Sequence, residues 1–405
     1  MTRGIIIVGA GATGSRAAIS LRTAGYTGLI TLIGDEALMP YDRPPLSKAA
    51  VTDEAEPTPV LLLDPDTAAS QKIDLRLGMS ARHIARESKT LLLSDGSTLG
   101  YDRLLLATGA KPRKLAIPGG ERALSLRNFE DAVTLRAHFH PGKRMVIVGG
   151  GFIGLEIAAS AIKRGSNVTV IEAQPRILMR GVPAAIADVV YARHRGAGVE
   201  VLTGVGLTRI DEGSVLLDSG REISFDAVIA GIGAVPETQL AEAAGLDIEN
   251  GIAVNTTLVT SDPDIFAAGD CCSFPHGLFG GERIRLEAWR NAQDQGVLVA
   301  ENMLGAGKDY ATVPWFWSDQ YDLSLQVSGL PAAGSVIIER RPAPGILILF
   351  HLAHDGRLIG ISGIGPGNAV ARDIKLGEML IARRICPDPA TLAMPDISLK
   401  LLLRV

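Results

Sequence analysis

The chain has 405 residues, room for two to four domains of ordinary size around a large core. With 40 Lys and Arg against 44 Asp and Glu its net charge is −4, which excludes a nucleic-acid protein held by bulk positive charge. Hydrophobic residues at 47% against 21% charged exclude wholesale disorder. In chain order, residues 4–33 read GIIIVGAGATGSRAAISLRTAGYTGLITLI: an apolar strand, a G-x-G-x-x-G turn, a helix, a Gly turn and a second β-branched strand. A Pro-rich, loop-like stretch covers 40–66, a strand and turn follow at 90–98, and LLLATG at 104–109 reads as a buried strand.

Residues 144–172, RMVIVGGGFIGLEIAASAIKRGSNVTVIE, repeat the opening pattern. Gly9, Gly11, Gly14 and Gly25 map onto Gly149, Gly151, Gly154 and Gly165 with a constant offset of 140. Such a spacing is far too long for a solenoid and predicts two separate nucleotide-binding βαβ units. The first glycine of each turn permits a tight bend, the second lets backbone approach a pyrophosphate, and the third lets helix and strand pack closely. The phosphates then meet a helix N-terminus, where unpaired N–H groups and the dipole favour anions. Further along, SVLLDSG at 214–220 predicts a hairpin, DAVIAGIGAVP at 226–236 a strand and turn, and IAVNTTLVTSDPDIFAAGD from 252 extended chain. A helix is predicted at about 288–304. The last ninety residues change texture, with strands at 323–329, 335–341 and 346–353 and a helix at 367–384.

The acid that ends the second strand selects the nucleotide. Glu172 can accept from both ribose hydroxyls and repels a 2′-phosphate, favouring NADH over NADPH, although Arg176 and Arg180 lie nearby; in the first unit Asp35 or Glu36 is available. Cys271, Cys272 and Cys386 are the only cysteines, and none forms a C-x-x-C. That excludes a disulfide-stapled scaffold, a zinc site of ordinary spacing and a resident iron–sulfur cluster. No leader pattern precedes the first strand and no run of eighteen apolar residues occurs, so the expectation is a cytoplasmic protein outside membranes.

Eight motifs stand in order: VGAGATG, GDEALMPYDRPPLSK, LLLATGAKPR, VIVGGGFIGLE, AGIGAVP, DIFAAGD, EAWRNAQDQG and WFWSDQ. On these the chain resembles the FAD-dependent pyridine nucleotide reductases, specifically the NADH-dependent ferredoxin reductases of bacterial oxygenase systems, of the biphenyl-dioxygenase and putidaredoxin reductase type. The resemblance covers nearly the whole chain. It implies an α/β fold of two Rossmann-like, glutathione-reductase-like domains with a smaller C-terminal α+β domain. The FAD-binding domain would be discontinuous, 1–112 and 243–314, with an NADH-binding domain at 113–242 and the C-terminal domain at 315–405.

For tightly bound FAD the resemblance implies Gly9, Gly11, Gly14 and Asp35 at the adenosine half, Arg43 at the pyrophosphate and Lys48 near the flavin. Ala81 and Arg127 would be further contacts, Asp270 would bind the ribityl chain or phosphate, and Trp289 would lie against the ring. For NADH it implies Gly149, Gly151 and Gly154 at the pyrophosphate, Glu172 and Arg180 at the ribose end, Gly233 in close backbone approach, Glu156 facing the nicotinamide and Trp317 beside it. Lys48, Glu156 and Trp317 are the expected catalytic set. Read as residues alone, Glu156 could instead be an ordinary first-turn acid, and the two tryptophans simple core filling.

The implied reaction is hydride transfer from NADH to FAD, followed by single electrons to a [2Fe–2S] ferredoxin that feeds a ring-hydroxylating dioxygenase or a P450. The cofactors carry the chemistry while the protein orients them. No relay cysteine pair is present, so electrons would leave the flavin directly, and Cys271–Cys272 read as small buried hydrophobes. Docking an acidic ferredoxin would call for a local basic patch, with Arg283, Arg285, Arg290, Arg383 and Arg384 as candidates. Three alternatives stay open: reduction of a small-molecule acceptor on the same fold, a non-enzymatic flavoprotein like apoptosis-inducing factor, and a two-dinucleotide monooxygenase. Oligomeric state is open as well.

Overall fold

A computed structural model describes residues 3–404. The chain divides into two compact units: residues 1–42, 59–111 and 235–312, and residues 43–58, 112–234 and 313–405. The segment 43–58 thus joins the second unit, whereas the sequence placed it inside the first domain. The cause is local anchoring that no pattern announces. Ser160 Oγ donates to the Ser47 carbonyl at 2.6 Å, and Arg136 donates to the carbonyls of Asp53, Glu54 and Ala55.

The first unit is built on a five-stranded parallel sheet in the order Ile265–Ala267, Arg103–Leu106, Ile5–Val8, Ile30–Ile33, Ile73–Arg76. Ile5–Val8 and Ile30–Ile33 are buried along their whole length, as parallel strands covered on both faces must be. The helices Ala12–Thr23 and Trp289–Met303 pack on each other. Because the chain first builds out from Ile5–Val8 on one side, through Ile30–Ile33 and Ile73–Arg76, and then returns to its other side with Arg103–Leu106, the C-terminal end of Ile5–Val8 is a switch point, where ligands bind in open α/β sheets.

The second unit repeats the device. Four parallel strands run Glu200–Thr203, Asn167–Glu172, Arg144–Val148, Ala227–Ala230, with the helix Phe152–Lys163 after the central one. The same unit carries an antiparallel five-stranded sheet, Trp315–Gln320, Leu323–Gly329, Leu358–Pro366, Leu347–Leu352, Val336–Arg340, with the helix Ala371–Ala382 on one face. Among the described residues no helix is long and apolar enough to cross a membrane, and no group of His, Cys, Asp or Glu is placed to hold a metal ion.

His351, on the strand Leu347–Leu352, is buried. Its Nε2 lies 3.2 Å from Ser362 Oγ and its Nδ1 has no partner. Burial disfavours the charged ring and pushes its pKa down to about 4. The unfolded chain therefore binds this proton first, so stability is full above pH 6.5 and falls as pH drops toward 4. A loss of about 2 kcal/mol from this one group is expected at pH 5, and His351→Leu should flatten the dependence. Chemical denaturation of both proteins at pH 7 and pH 5 measures it.

Candidate functional site

Each glycine turn sits at the end of a central parallel strand. Gly9 has φ +111°, and a Cβ there would overlap the Ala107 carbonyl; Gly14 would overlap the Gly9 carbonyl. In the second unit Gly149 (φ +110°) and Gly154 meet the equivalent obstacles, the carbonyls of Gly231 and Gly149. These four positions are closed by the protein's own packing. The middle glycines differ. A Cβ on Gly11 would meet nothing within 4 Å, and one on Gly151 only the Gly231 carbonyl oxygen at 3.9 Å. The chain's own packing does not demand glycine there, and the backbone at both positions stands open to close approach.

The helices behind the turns begin without side-chain caps. Gly11 caps Ala12–Thr23 and Gly151 caps Phe152–Lys163, neither helix has a side-chain cap, and neither has an acid in its first turn. Three other helices take side-chain N-caps, Asn128 in a full capping box and Asp64 and Asp388, whereas Ala184–Gly196, Trp289–Met303 and Ala371–Ala382 have none; what sets the two helices apart is that each opens directly from a glycine turn. Two positive helix ends are thus left open at glycine turns, which fits the pyrophosphate of a dinucleotide at each.

Around the first cradle, Gly269 (φ +84°) lets the AAGD turn close onto Thr13, and its N–H donates to Gln295 Oε1 at 2.7 Å. Half-buried Asp270 follows directly. Asp35 is exposed just past the end of Ile30–Ile33, while Glu36 Oε2 accepts from Tyr41 Oη at 2.5 Å. Ala81 is half-buried at the start of the strand Ala81–Ala85. Trp289 opens its helix, 37% exposed, with its indole N–H donating to Asp42 Oδ1 at 2.6 Å. That exposure rules out simple core filling. Cys271 and Cys272 are free, fully buried thiols, and burial pushes both well away from thiolate chemistry, raising their pKa values.

In the second unit the Glu172 carboxylate closes the glycine loop: Oε2 accepts from Gly150 N and Oε1 from Gln174 N, both at 2.7 Å. Each oxygen keeps a lone pair for a ribose hydroxyl. The two cradles are not equivalent here. Gly9 N donates to the Ile33 carbonyl and Gly149 N to the Ile171 carbonyl, so Glu172 corresponds to Gly34 and the first cradle's acids come one and two residues later. Arg176 is engaged by the carbonyls of Ile177, Leu178, Met179 and Val182 and braces its own loop, while Arg180 is exposed. Gly233 is exposed with φ +96°. Gly231, not singled out by the sequence reading, is the residue that packs under Gly149 and Gly154.

The charged centre of the second unit is Glu156. It is the fifth residue of its helix and 5% exposed, not a first-turn surface acid. Oε2 lies 3.0 Å from Lys48 Nζ and 2.5 Å from Ser47 Oγ, and Oε1 accepts from Ser318 Oγ at 2.6 Å. Ser318 belongs to the WFWSDQ strand, where Trp315 and half-buried Trp317 stack at 5.2 Å. Arg43 donates to the Arg127 carbonyl at 2.6 Å, and Arg127 N donates to Asp131 Oδ2 at 2.8 Å, so this pair is also held within the second unit.

Two open dinucleotide cradles in one chain, with no C-x-x-C pair beside either, define the class of two-nucleotide oxidoreductases. The chain belongs to the pyridine nucleotide-disulphide oxidoreductase family, whose model matches residues 3–296, and residues 315–403 match the reductase C-terminal domain. It is 40% identical to the anthranilate 1,2-dioxygenase system ferredoxin–NAD(+) reductase component of Burkholderia cepacia, over 98% of both chains. It is 36% identical to putidaredoxin reductase CamA of Pseudomonas putida, over 98% of this chain and 96% of that one. The crystal structure of a covalent putidaredoxin reductase–putidaredoxin complex superposes with a TM-score of 0.93 at 34% identity, covering 99% of this chain and 98% of that one.

Proposed function

We propose that this protein is an NADH-dependent ferredoxin reductase serving an oxygenase system, a ring-hydroxylating dioxygenase or a cytochrome P450. The observation that carries the reading is the end-to-end likeness to ferredoxin–NAD(+) reductase components, C-terminal domain included, in a chain with two pyrophosphate cradles and no relay dithiol. FAD, when bound, takes a hydride from NADH and returns its electrons singly to a [2Fe–2S] ferredoxin.

We assign residues 1–112 and 243–314 to FAD binding, 113–242 to NADH binding and 315–405 to the C-terminal domain. Gly9, Gly11 and Gly14 leave the first helix end open for diphosphate, with Asp35 toward the adenosine and Asp270 toward the ribityl side. Gly149, Gly151 and Gly154 do the same for NADH, with Glu172 accepting from the ribose. Lys48 and Glu156 are the charged pair at the reacting end: Lys48 supplies positive charge where negative charge develops, and Glu156 holds Lys48 in place. Trp317 supplies an aromatic face from the neighbouring strand. We place the protein in the cytoplasm, with the NADH pool. Of the five arginines read as a docking patch, Arg283, Arg285 and Arg290 are internally compensated, pairing with Glu249, Glu287 and Asp294 at 3.1, 2.5 and 3.5 Å.

The test is anaerobic stopped-flow reduction of the purified protein by NADH and by NADPH, followed by addition of a [2Fe–2S] ferredoxin. A yellow protein bleached by NADH and re-oxidised by ferredoxin is expected. Glu172→Ala is expected to cut the NADH preference by about tenfold or more, since it removes two charge-assisted acceptors. A protein that takes up no flavin, or one that prefers NADPH, sinks the reading.

A further inference from the structure

A row of hydrogen bonds leads away from Glu156 into the second unit. Ser318 Oγ donates to Glu156 Oε1 at 2.6 Å, and Gln320 Nε2 donates to Ser318 Oγ at 3.1 Å. Gln320 Oε1 lies 2.7 Å from His194 Nε2, and His194 Nδ1 lies 3.1 Å from Tyr321 Oη. Ser318, Gln320 and His194 are all buried, His194 completely. Three elements meet here: the helix Ala184–Gly196, the strand Trp315–Gln320 and the helix Phe152–Lys163. Tyr321 is held against the imidazole in a left-handed turn, φ +58°, which costs a non-glycine residue energy unless its surroundings impose it. They do: the Tyr321 ring meets His194 edge-on at 5.0 Å, Arg193 lies 4.2 Å over that ring, and Arg193 pairs with Asp322 at 2.6 Å.

We propose that His194 is a positioning residue for Glu156, acting through Gln320 and Ser318, and that the charge on Glu156 sets the direction of every bond in the row. The deduction needs no hydrogen to be seen. A carboxylate paired with lysine only accepts, so the single Ser318 proton goes to Glu156. Ser318 must then accept from Gln320, which turns the Gln320 amide nitrogen toward Ser318 and its carbonyl toward His194. The carbonyl accepts only, so the imidazole proton sits on Nε2, and Nδ1 takes the Tyr321 hydroxyl proton. Burial and the neighbouring Arg193 guanidinium both disfavour a second proton on the ring. Four donors in series therefore point at one carboxylate, and each polarises the next. An amide does not hand protons on, so the row orients Glu156 and does not conduct.

One substitution should reverse the whole row. In Glu156→Gln the Lys48 ammonium, which only donates, claims the new amide's oxygen and leaves its NH2 facing Ser318. Ser318 then accepts from residue 156 and donates to Gln320. The Gln320 amide turns over, and the His194 proton moves to Nδ1. The experiment is 15N NMR of histidine-labelled holoprotein at neutral pH, with the His194 signal assigned by its loss in His194→Gln. The Nε2–H tautomer is expected in the wild type and Nδ1–H in Glu156→Gln. Ser318→Ala cuts the row, so with that change the tautomer should no longer follow residue 156. An Nδ1–H wild type, one tautomer in both proteins, or a flip that survives Ser318→Ala overturns the proposal.

The inference rests on the assignment of Glu156 to the reacting end for its kinetic consequence only. His194→Phe, which fills the space without donating, is expected to slow NADH-driven flavin reduction about tenfold with NADH affinity within about twofold. His194→Gln, which still donates to Gln320, should restore the rate. A tautomer that follows residue 156 while the His194→Phe rate stays at the wild-type value supports the positioning and removes Glu156 from the reacting end.

Discussion

Gly9→Ala is expected to give little soluble protein, whereas Gly11→Ala is expected to fold normally and to lose its flavin. Two residues apart in the chain, the two glycines answer to different constraints. Gly9 holds φ +111°, and its missing side chain is replaced in space by the Ala107 carbonyl. Alanine there adds backbone strain of about 1–3 kcal/mol. It also forces an overlap with rigid main chain that costs a similar amount. Together these approach the total stability of many domains. Gly11 has an extended backbone and open space where its Cβ would stand, so alanine costs the fold almost nothing. What it removes is room for the diphosphate, and a loss of about 100-fold in FAD affinity is expected, close to 3 kcal/mol. Thermal melts of the apoproteins and flavin content as purified separate the two effects. A Gly11→Ala protein with a full complement of FAD would refute the first cradle's assignment.

The second large effect is expected at Lys48. Lys48→Met leaves the Glu156 carboxylate, 5% exposed, facing two serine hydroxyls and no cation. Removing one partner of a buried ion pair typically costs 3–5 kcal/mol. Lys48 keeps 29% of its side chain in water, which places the expected loss at the lower end, about 3 kcal/mol. NADH-driven flavin reduction is expected to slow by about 100-fold, the scale of losing one oriented charge at a reacting centre. The double variant Lys48→Met/Glu156→Gln separates the two roles. With no buried charge left uncompensated, it should regain most of the stability and none of the rate. Urea unfolding and single-turnover reduction of the wild type and the two variants measure this, and a Lys48→Met protein with wild-type kinetics would remove the pair from the reaction.

The features legible in the sequence are those whose cause is local. Strand, G-x-G-x-x-G and helix lie within a dozen residues of one another, so both cradles and their parallel strands can be read from spacing. The hairpin read at 214–220 forms between Ser214–Leu217 and Glu222–Ser224, and the helix read at 288–304 forms at Trp289–Met303. The strand Leu358–Pro366 escaped the reading because LIGISGIGP looks like turns. Its glycines serve packing instead: a Cβ on Gly363 would press on Val370 and Ile374 beside the helix Ala371–Ala382.

What only the tertiary structure decided are relations between distant segments. That Gly34 occupies the place of Glu172 follows from which carbonyl each glycine turn bonds, which the offset of 140 conceals. That Glu156 is a buried, ion-paired acid, and that His194 stands behind it, depends on Lys48, Ser318 and Gln320 arriving from segments more than a hundred residues away. Each side chain has too little local signal to reveal its partner. Burial couples them, because a carboxylate taken out of water must find donors wherever the fold can bring them.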